Sequence, residues 1–232
     1  MSGQNQSTAV MARRVEAADS LDYFATPPWG TRALLRHVAP EIADASAIWE
    51  PAAGGGWMAR PLAETGRPVF ASDVHDYGGL DAVHDFLMPF LPPGLAAAPD
   101  WVVTNPPFRL AEQFAHRALA VTDGAAGRSR GVALLLRTAW AEGIGRYQTL
   151  FQPRPPSAVA IFTERLPIVK GQPRADASSA TSYAWFVWSG GRQGPTRTVW
   201  IPPCRKDLEQ PGDYPAAVAD LATAADLGGL AL

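Results

Sequence analysis

Short β-rich runs alternate with helical patterns along most of the chain, and this alternation restricts the fold more than any other feature. Six runs have the length and composition of buried strands: 47–50, 69–73, 101–105, 131–137, 158–162 and 183–189. Apolar residues recur at spacings of three and four between them, which predicts helices at 57–66, 109–121 and 138–151. Such alternation favours an α/β domain with a mostly parallel sheet and helices on both faces.

The composition is that of a globular protein, with 18% charged and 47% hydrophobic residues over 232 positions. A chain of this length suits one domain with a sizeable core. We predict a flexible polar tail at 1–20, a single domain at 21–206 and a C-terminal extension at 207–232. The single cysteine, Cys204, indicates a reducing compartment, so a cytoplasmic protein is expected. Neither metal-ligand spacing nor a membrane-spanning run is present in the sequence, so we predict no metal and no membrane partner.

The net charge of −2 conceals an uneven distribution along the chain. Residues 1–127 carry 8 basic and 14 acidic side chains, and residues 207–232 carry 5 acidic side chains and no basic one. Residues 128–206 carry 12 basic and 3 acidic side chains, a net charge of +9. A basic block of this kind is expected where a protein faces phosphates, although an arginine-rich solvated surface would give the same count.

A glycine-rich turn follows the first predicted strand, in the stretch "AIWEPAAGGGWMARPLAETG". Gly54 and Gly56 allow a sharp turn and a close approach of the backbone to a ligand. The turn lacks the Lys-Ser/Thr of a triphosphate-binding loop. Glu50, at the strand end, would repel a pyrophosphate but attract an ammonium group. Asp73, 17 residues after Gly56 at the end of the next strand, can accept the hydroxyls of a ribose.

A third acidic residue, Asp85, precedes Phe86 and a predicted surface connection at 87–100. A carboxylate beside an aromatic ring can accept from an adenine amino group and pack against the base. Glu50, Asp73 and Asp85 together suit a cationic nucleoside better than a phosphorylated one. S-adenosylmethionine carries a sulfonium, an ammonium and no phosphate, and is therefore the predicted cofactor.

The stretch "TNPPF" ends another predicted strand. Pro106 and Pro107 fix the backbone and remove two N–H donors, which leaves carbonyl oxygens and the Asn105 amide available as acceptors. The aromatic Phe108 follows directly. Acceptors beside an aromatic face are what a site for a flat, amino-bearing ring requires.

The order of these motifs resembles that of the amino-methyltransferases that act on adenine N6 in DNA, in the gamma-type arrangement. The resemblance covers roughly residues 22–190 and rests on "EPAAGGG", "SD", "DF" and "TNPPF", with "YFATPPWGTRALL" (23–35) upstream. It implies a class I S-adenosylmethionine-dependent methyltransferase fold, Rossmann-like, with a mostly parallel seven-stranded sheet. The motifs assign the cofactor to a larger set of residues: Thr26, Pro27, Glu50, Pro51, Ala52, Gly54, Gly56, Asp73, Asp85 and Phe86.

The same resemblance assigns catalysis to Asn105, Pro106, Pro107 and Phe108. The Asn105 side-chain oxygen and the Pro106 carbonyl would accept from the adenine amine and restore the lone pair on its nitrogen. Phe108, where the family often has Tyr, would stack on the target base. A base inside a duplex cannot reach such a pocket, so the adenine must be flipped out or already single-stranded.

We expect no separate recognition domain within these 232 residues. The irregular 164–182 segment, with Arg165, Lys170 and Arg174, is the predicted nucleic-acid contact, and a segment of 19 residues can read few bases. We therefore expect a short or relaxed sequence preference. Two alternatives remain open: the same chemistry on RNA or on a protein glutamine amide, and a catalytically silent fold that binds nucleic acid.

Overall fold

The computed structural model describes residues 22–123, 130–190 and 194–215. The tail predicted at 1–20 lies outside the described residues, and the extension predicted at 207–232 is described only as far as residue 215. Within the described ranges, no helix is long and apolar enough to cross a membrane. Nor do the His, Cys, Asp and Glu side chains in those ranges form a group of three that could hold a metal ion.

Ten strands and five α-helices follow one another along the described chain. The strands are β1 (Phe24–Ala25), β2 (Ile48–Glu50), β3 (Val69–Asp73), β4 (Ala82–Val83), β5 (Trp101–Thr104), β6 (Gly131–Arg137), β7 (Ala158–Phe162), β8 (Val169–Lys170), β9 (Tyr183–Ser189) and β10 (Arg197–Ile201). The helices are α1 (Pro28–His37), α2 (Ala59–Ala63), α3 (Ala111–Thr122), α4 (Ile144–Arg146) and α5 (Arg205–Leu208).

Eight strands form the central sheet, in the order β10-β7-β9-β6-β5-β2-β3-β4. Every pair in it is parallel except the two made by β9, which runs antiparallel to both β6 and β7. The sheet is therefore mostly parallel, as predicted. It has eight strands rather than seven, and one of them is the two-residue β4, which pairs with the end of β3.

The core lies on both faces of this sheet because successive side chains of a strand point in opposite directions. Val103 and Leu135 pack on one face with Trp29 and Leu34 of α1. Val102, Val132 and Leu134 pack on the other face with the apolar side of α3. The strands β5 and β6 are buried on both faces, which explains their nearly continuous apolar sequences.

The helix predicted at 138–151 is not continuous. A 3₁₀ turn spans Thr138–Ala141, α4 occupies three residues and a π-helical turn spans Tyr147–Phe151. Gly143 interrupts the segment with a φ of 142°. A positive φ of this size favours glycine and is incompatible with a right-handed helix. The apolar spacing correctly predicts that Leu150 is buried. The prediction of a single helix over this segment is wrong.

Two tertiary contacts attach the first and last described residues to the core. β1 pairs antiparallel with β8, Phe24 opposite Lys170 and Ala25 opposite Val169, so the 164–182 segment lies against the residues that precede α1. On α1, the buried Arg32 guanidinium donates to both carboxylate oxygens of Asp213, at 2.7 and 2.9 Å. It also donates to Glu64 at 2.8 and 2.6 Å.

Candidate functional site

The carboxyl ends of β2, β3 and β5 meet at one edge of the sheet, because these strands are parallel neighbours. Glu50 ends β2 and Asp73 ends β3, while Asn105 directly follows β5. In open parallel sheets ligands bind outside the carboxyl ends of the strands. Three side chains that the sequence assigns to the site are therefore placed together by the order of the strands.

A cavity of about 330 Å³ opens at this edge. This volume lies within the range of about 300–1,000 Å³ that is typical of small-molecule sites. Nine predicted site residues line it: Thr26, Glu50, Pro51, Ala52, Asp73, Asp85, Phe86, Asn105 and Pro107. Five others lie outside the lining formed by the described residues: Pro27, Gly54, Gly56, Pro106 and Phe108.

Glu50 is the most deeply buried charged group of this lining, with 2% of its surface exposed. Its Oε2 atom has no hydrogen-bond partner among the described residues. Loss of solvation, and then the nearby Asp73, raise the pKa of this carboxyl well above its ordinary value, against a hydrogen bond from the Ala59 backbone. A cation at this position would lower the cost of ionising Glu50 and occupy its unpartnered oxygen.

Asp73 has a structural role that the sequence did not indicate. Its Oδ2 accepts from the Gly54 backbone N–H at 2.9 Å, and its Oδ1 accepts from that of His75 at 3.1 Å. Burial raises the pKa of this carboxyl, although these N–H groups favour its ionised form. The two carboxylate oxygens have about four acceptor sites together, more than the backbone N–H groups occupy, so the carboxylate can also accept from a ribose hydroxyl.

Tyr23 lies directly on the glycine turn. A Cβ atom built on Gly54 would lie 2.2 Å from Cε2 of the Tyr23 ring, and the φ of Gly54 is +51°. The Tyr23 hydroxyl accepts from the Gly55 N–H at 3.0 Å, and the Tyr23 ring lies 4.8 Å from that of Tyr77. Gly54 is thus required by Tyr23 and by its own backbone conformation. The sharp turn predicted from the sequence is present, whereas the group that comes closest to Gly54 is the Tyr23 ring.

Asp85 and Phe86 both line the cavity, but Phe86 is mainly a core residue. Its ring is 1% exposed and packs edge-on against Trp49 at 4.9 Å. The Oδ1 atom of Asp85 accepts from the Leu87 N–H at 2.9 Å, which forms the turn into the 87–100 connection. The second oxygen of Asp85 is the one left for a ligand.

The Asn105 amide is held in one orientation. Its Nδ2 donates to the Phe24 carbonyl at 2.9 Å and to the Thr26 hydroxyl at 3.1 Å. The carbonyl can only accept, so the amide nitrogen must face it and the amide oxygen must face away. That oxygen, Oδ1, is buried and has no partner among the described residues. It is an acceptor presented to whatever enters the cavity beside it.

The two prolines differ in what their carbonyls do. The Pro107 carbonyl accepts from the Leu110 N–H at 2.9 Å and so closes the 3₁₀ turn Phe108–Leu110. Pro106, the residue whose carbonyl is the predicted second acceptor, is buried. Asp22 accepts from the Phe108 N–H at 2.8 Å and fixes the start of the turn.

Phe108 stands beside the cavity and its ring is covered. The ring lies 5.3 Å from that of Phe24 and 6.5 Å from that of Tyr183. The guanidinium carbon of Arg137 lies 4.2 Å from the centroid of the Phe108 ring. One face of the ring that the sequence predicts for stacking is therefore in contact with a flat cation.

The predicted nucleic-acid residues of the 164–182 segment are exposed, and two of them have partners within the segment. Arg165 donates to the Ala180 carbonyl and to the Ser182 hydroxyl. Arg174 forms an exposed ion pair with Asp176 at 2.7 Å. Lys170 lies in β8 and faces Phe24 across the β1–β8 pair.

Sequence reasoning missed several residues of the cavity lining, and Asp22, Tyr23 and Tyr77 are discussed because their contacts shape the site. Asp22 and Tyr23 belong to the stretch "DYFATPPW", where the resemblance drew attention to Thr26 and Pro27 only. Tyr77 lies in a turn after β3 and pairs with the Tyr23 ring. The only feature of the sequence that pointed to Tyr23 was an aromatic side chain close to the Thr26-Pro27 motif.

No protein-family model matches the chain, and no curated protein matches its sequence. Solved structures do match it. A candidate class I S-adenosylmethionine-dependent methyltransferase from Listeria monocytogenes matches with a TM-score of 0.56 at 14% identity, over 90% of this chain and 71% of that one. A candidate RNA methyltransferase from Pyrococcus horikoshii has a TM-score of 0.49 at 16% identity, over 71% of this chain and 85% of that one.

At such low identity the likeness establishes the fold. The chain has the class I S-adenosylmethionine-dependent methyltransferase fold, as predicted, and S-adenosylmethionine is the cofactor on which methyltransferases of this class depend. The residues present fit this cofactor, because the unpartnered Glu50 oxygen and the buried Asp73 favour a cationic nucleoside. The narrower prediction, a DNA adenine-N6 methyltransferase, stays a prediction.

Proposed function

We propose that this protein transfers a methyl group from S-adenosylmethionine to the exocyclic N6 amine of adenine in DNA. The observation that carries the proposal is the Asn105 amide. Its two N–H groups are engaged by Phe24 and Thr26, and its buried oxygen is left as an acceptor at the cavity edge. An amine that donates to this oxygen would be held against the cavity that contains Glu50 and Asp73.

The cofactor, when bound, supplies an electrophilic methyl group on a sulfonium. Glu50 would take its ammonium and Asp73 its ribose hydroxyls. Asn105 Oδ1 and the Pro106 carbonyl would accept from the two hydrogens of the target amine, which shifts its lone pair out of conjugation with the ring. Transfer of this methyl group to the N6 nitrogen would break the carbon–sulfur bond, and the sulfur would keep the electron pair. One amine proton is released to solvent.

Preorganisation is the main contribution of these residues. The Asn105 amide needs no rotation to turn its oxygen toward the amine, because Phe24 and Thr26 already fix its orientation. Removal of one preorganised polar group typically costs a factor of about 10²–10³ in rate. Nothing in this chemistry requires the chain to form a covalent bond with the substrate.

The proposal of a DNA substrate is supported by charge and by connectivity. The net charge of +9 in residues 128–206 suits a partner that carries phosphates. The β1–β8 pair places Lys170 of the 164–182 segment opposite Phe24, which lines the cavity.

A label-transfer assay tests the proposal. The full chain is incubated with methyl-labelled S-adenosylmethionine and, separately, with single-stranded DNA, duplex DNA, RNA and glutamine-containing peptide, and the products are digested and analysed by mass spectrometry. We expect label on N6 of adenine in DNA, and none in an oligonucleotide whose adenines are replaced by purine, which lacks the amine. Label only in RNA or on glutamine would overturn the DNA assignment. A chain that binds the cofactor and labels nothing would indicate a silent fold.

A further inference from the structure

Arg137 covers one face of the Phe108 ring, the ring on which a target base is expected to stack. It is the last residue of β6, and its side chain is exposed. Its guanidinium carbon lies 4.2 Å from the centroid of the Phe108 ring. Arg137 lies opposite Tyr183, a residue that is only 3% exposed, in the β6–β9 pair.

The spacing leaves no room for a base between the two groups. Stacked carbon atoms need about 3.5–4.0 Å, so a ring inserted between Arg137 and Phe108 would require about 7–8 Å. The guanidinium and an incoming base therefore compete for one face. A guanidinium is flat and stacks on aromatic rings, so it can occupy a surface that suits a flat base.

We propose that Arg137 covers Phe108 in the free protein, is displaced by the target base and then contacts a backbone phosphate beside it. This inference rests on the proposed function, since it needs a ring that stacks on Phe108 and a phosphate next to that ring. Exposure makes the displacement easy, because the side chain moves into solvent and not through the core. An exposed cation–π contact is worth about two- to five-fold in an equilibrium constant. Stacking of a base on an aromatic residue is worth about 5- to 150-fold.

The proposal predicts opposite effects on two ligands. With the full chain saturated with S-adenosylhomocysteine, calorimetry would measure the binding of adenosine, which has no phosphate, and of a nine-nucleotide single strand that contains one adenine. Arg137→Ala should bind adenosine about two- to five-fold more tightly than the parent, because the competing guanidinium is gone. The same variant should flatten the salt dependence of oligonucleotide binding by about 0.7 on a log–log scale, the loss of one phosphate contact.

Arg137→Lys is the matched control. Lysine keeps the charge but lacks the flat group, so the salt dependence should stay close to that of the parent while adenosine binding tightens. Weaker adenosine binding by Arg137→Ala would mean that the guanidinium supports Phe108 and does not compete with the base. An unchanged salt slope in Arg137→Ala would show that Arg137 makes no phosphate contact.

The outcome can be separated from that of the proposed function. If the parent labels adenine in DNA and the Arg137 variants bind both ligands as the parent does, only the Arg137 proposal fails. If the parent labels no DNA while Arg137→Ala still tightens adenosine binding, the cover over Phe108 stands and the DNA assignment fails.

Discussion

The Thr26 hydroxyl accepts a hydrogen bond of 3.1 Å from the Asn105 amide, across 79 positions of the chain. Thr26 is 3% exposed and lines the cavity. The motif that contains Thr26 resembles a cofactor-binding segment. Its hydroxyl, however, helps to fix which atom of Asn105 faces the substrate, so we assign Thr26 a positioning role in addition to the predicted one.

Replacement of Thr26 by Val should lower the turnover number about two- to twelve-fold, the value of one net hydrogen bond of about 0.5–1.5 kcal/mol. Val keeps the shape of Thr but leaves the Asn105 amide with one acceptor. Thr26→Ser keeps the hydroxyl and should retain most of the activity. Steady-state kinetics would show the loss in turnover with little change in the KM for the cofactor. If the substitution only raised the KM for the cofactor and left the turnover number unchanged, Thr26 would have a cofactor-binding role alone.

Glu50 should make both stability and cofactor binding depend on pH. Burial raises its pKa in the folded protein, so the folded state binds more protons than the unfolded state above the ordinary value of 4.5. Its contribution to stability is therefore complete below about 4.5 and is lost as the pH rises through the raised pKa. Because the ammonium of the cofactor favours ionised Glu50, binding should release a proton in this window and strengthen as the pH rises.

Glu50→Gln is the matched variant, since it keeps the shape without the charge. It should remove this part of the pH dependence of unfolding, leave the part due to Asp73, and weaken cofactor binding about 10- to 100-fold. Thermal unfolding and calorimetry across pH, in buffers of different ionisation enthalpy, measure both effects. The same proton release in parent and variant would show that Glu50 is not the group involved.

Gly54 and Gly56 should differ sharply in their tolerance of alanine. Both have positive φ, +51° and +74°, so each pays the same kind of backbone strain. A Cβ on Gly54 would also strike the Tyr23 ring, whereas one on Gly56 meets no described atom within 4 Å. We expect Gly54→Ala to weaken cofactor binding at least about tenfold. Gly56→Ala should weaken it less than about fivefold. Equal losses would mean that Tyr23 moves aside freely.

The 164–182 segment should contribute to the salt dependence of DNA binding. Neutralising Arg165, Lys170 and Arg174 together to Gln should flatten the log–log slope on duplex DNA by up to about three units. The ion pair of Arg174 with Asp176 is fully exposed and is no obstacle to a phosphate contact. Arg36→Gln, on α1, serves as the control for loss of a positive charge. An unchanged slope in the triple variant would identify these charges as a solvated surface.

Strands buried on both faces were predictable nearly to the residue. The runs at 131–137 and 183–189 are observed as β6 and β9 with those same bounds, because continuous apolar sequence leaves little choice of structure. β10 was missed because it is an edge strand: Arg197 and Trp200 are exposed, and the apolar pattern is weak. At 138–151 the apolar spacing suggested one helix, and Gly143 prevents it.

The site was predictable where a strand end determines it. Glu50, Asp73 and Asn105 follow from the order of parallel strands. The cover over Phe108 was not predictable, because it depends on Arg137 and on Tyr183, which lie on different strands and meet only through the pairing of β6 with β9. The link between Thr26 and Asn105 is of the same kind, a contact between distant segments that no local pattern records.

The central claim is that the Asn105 side-chain oxygen accepts from the target amine. The most direct test is the single-turnover rate of N6-methyladenine formation in single-stranded DNA by the parent and by Asn105→Ala, with cofactor affinity measured on the same samples. The account predicts a rate lower by about 10²–10³ in the variant and an almost unchanged cofactor affinity. An Asn105→Ala protein that methylates adenine at the parent rate would contradict it.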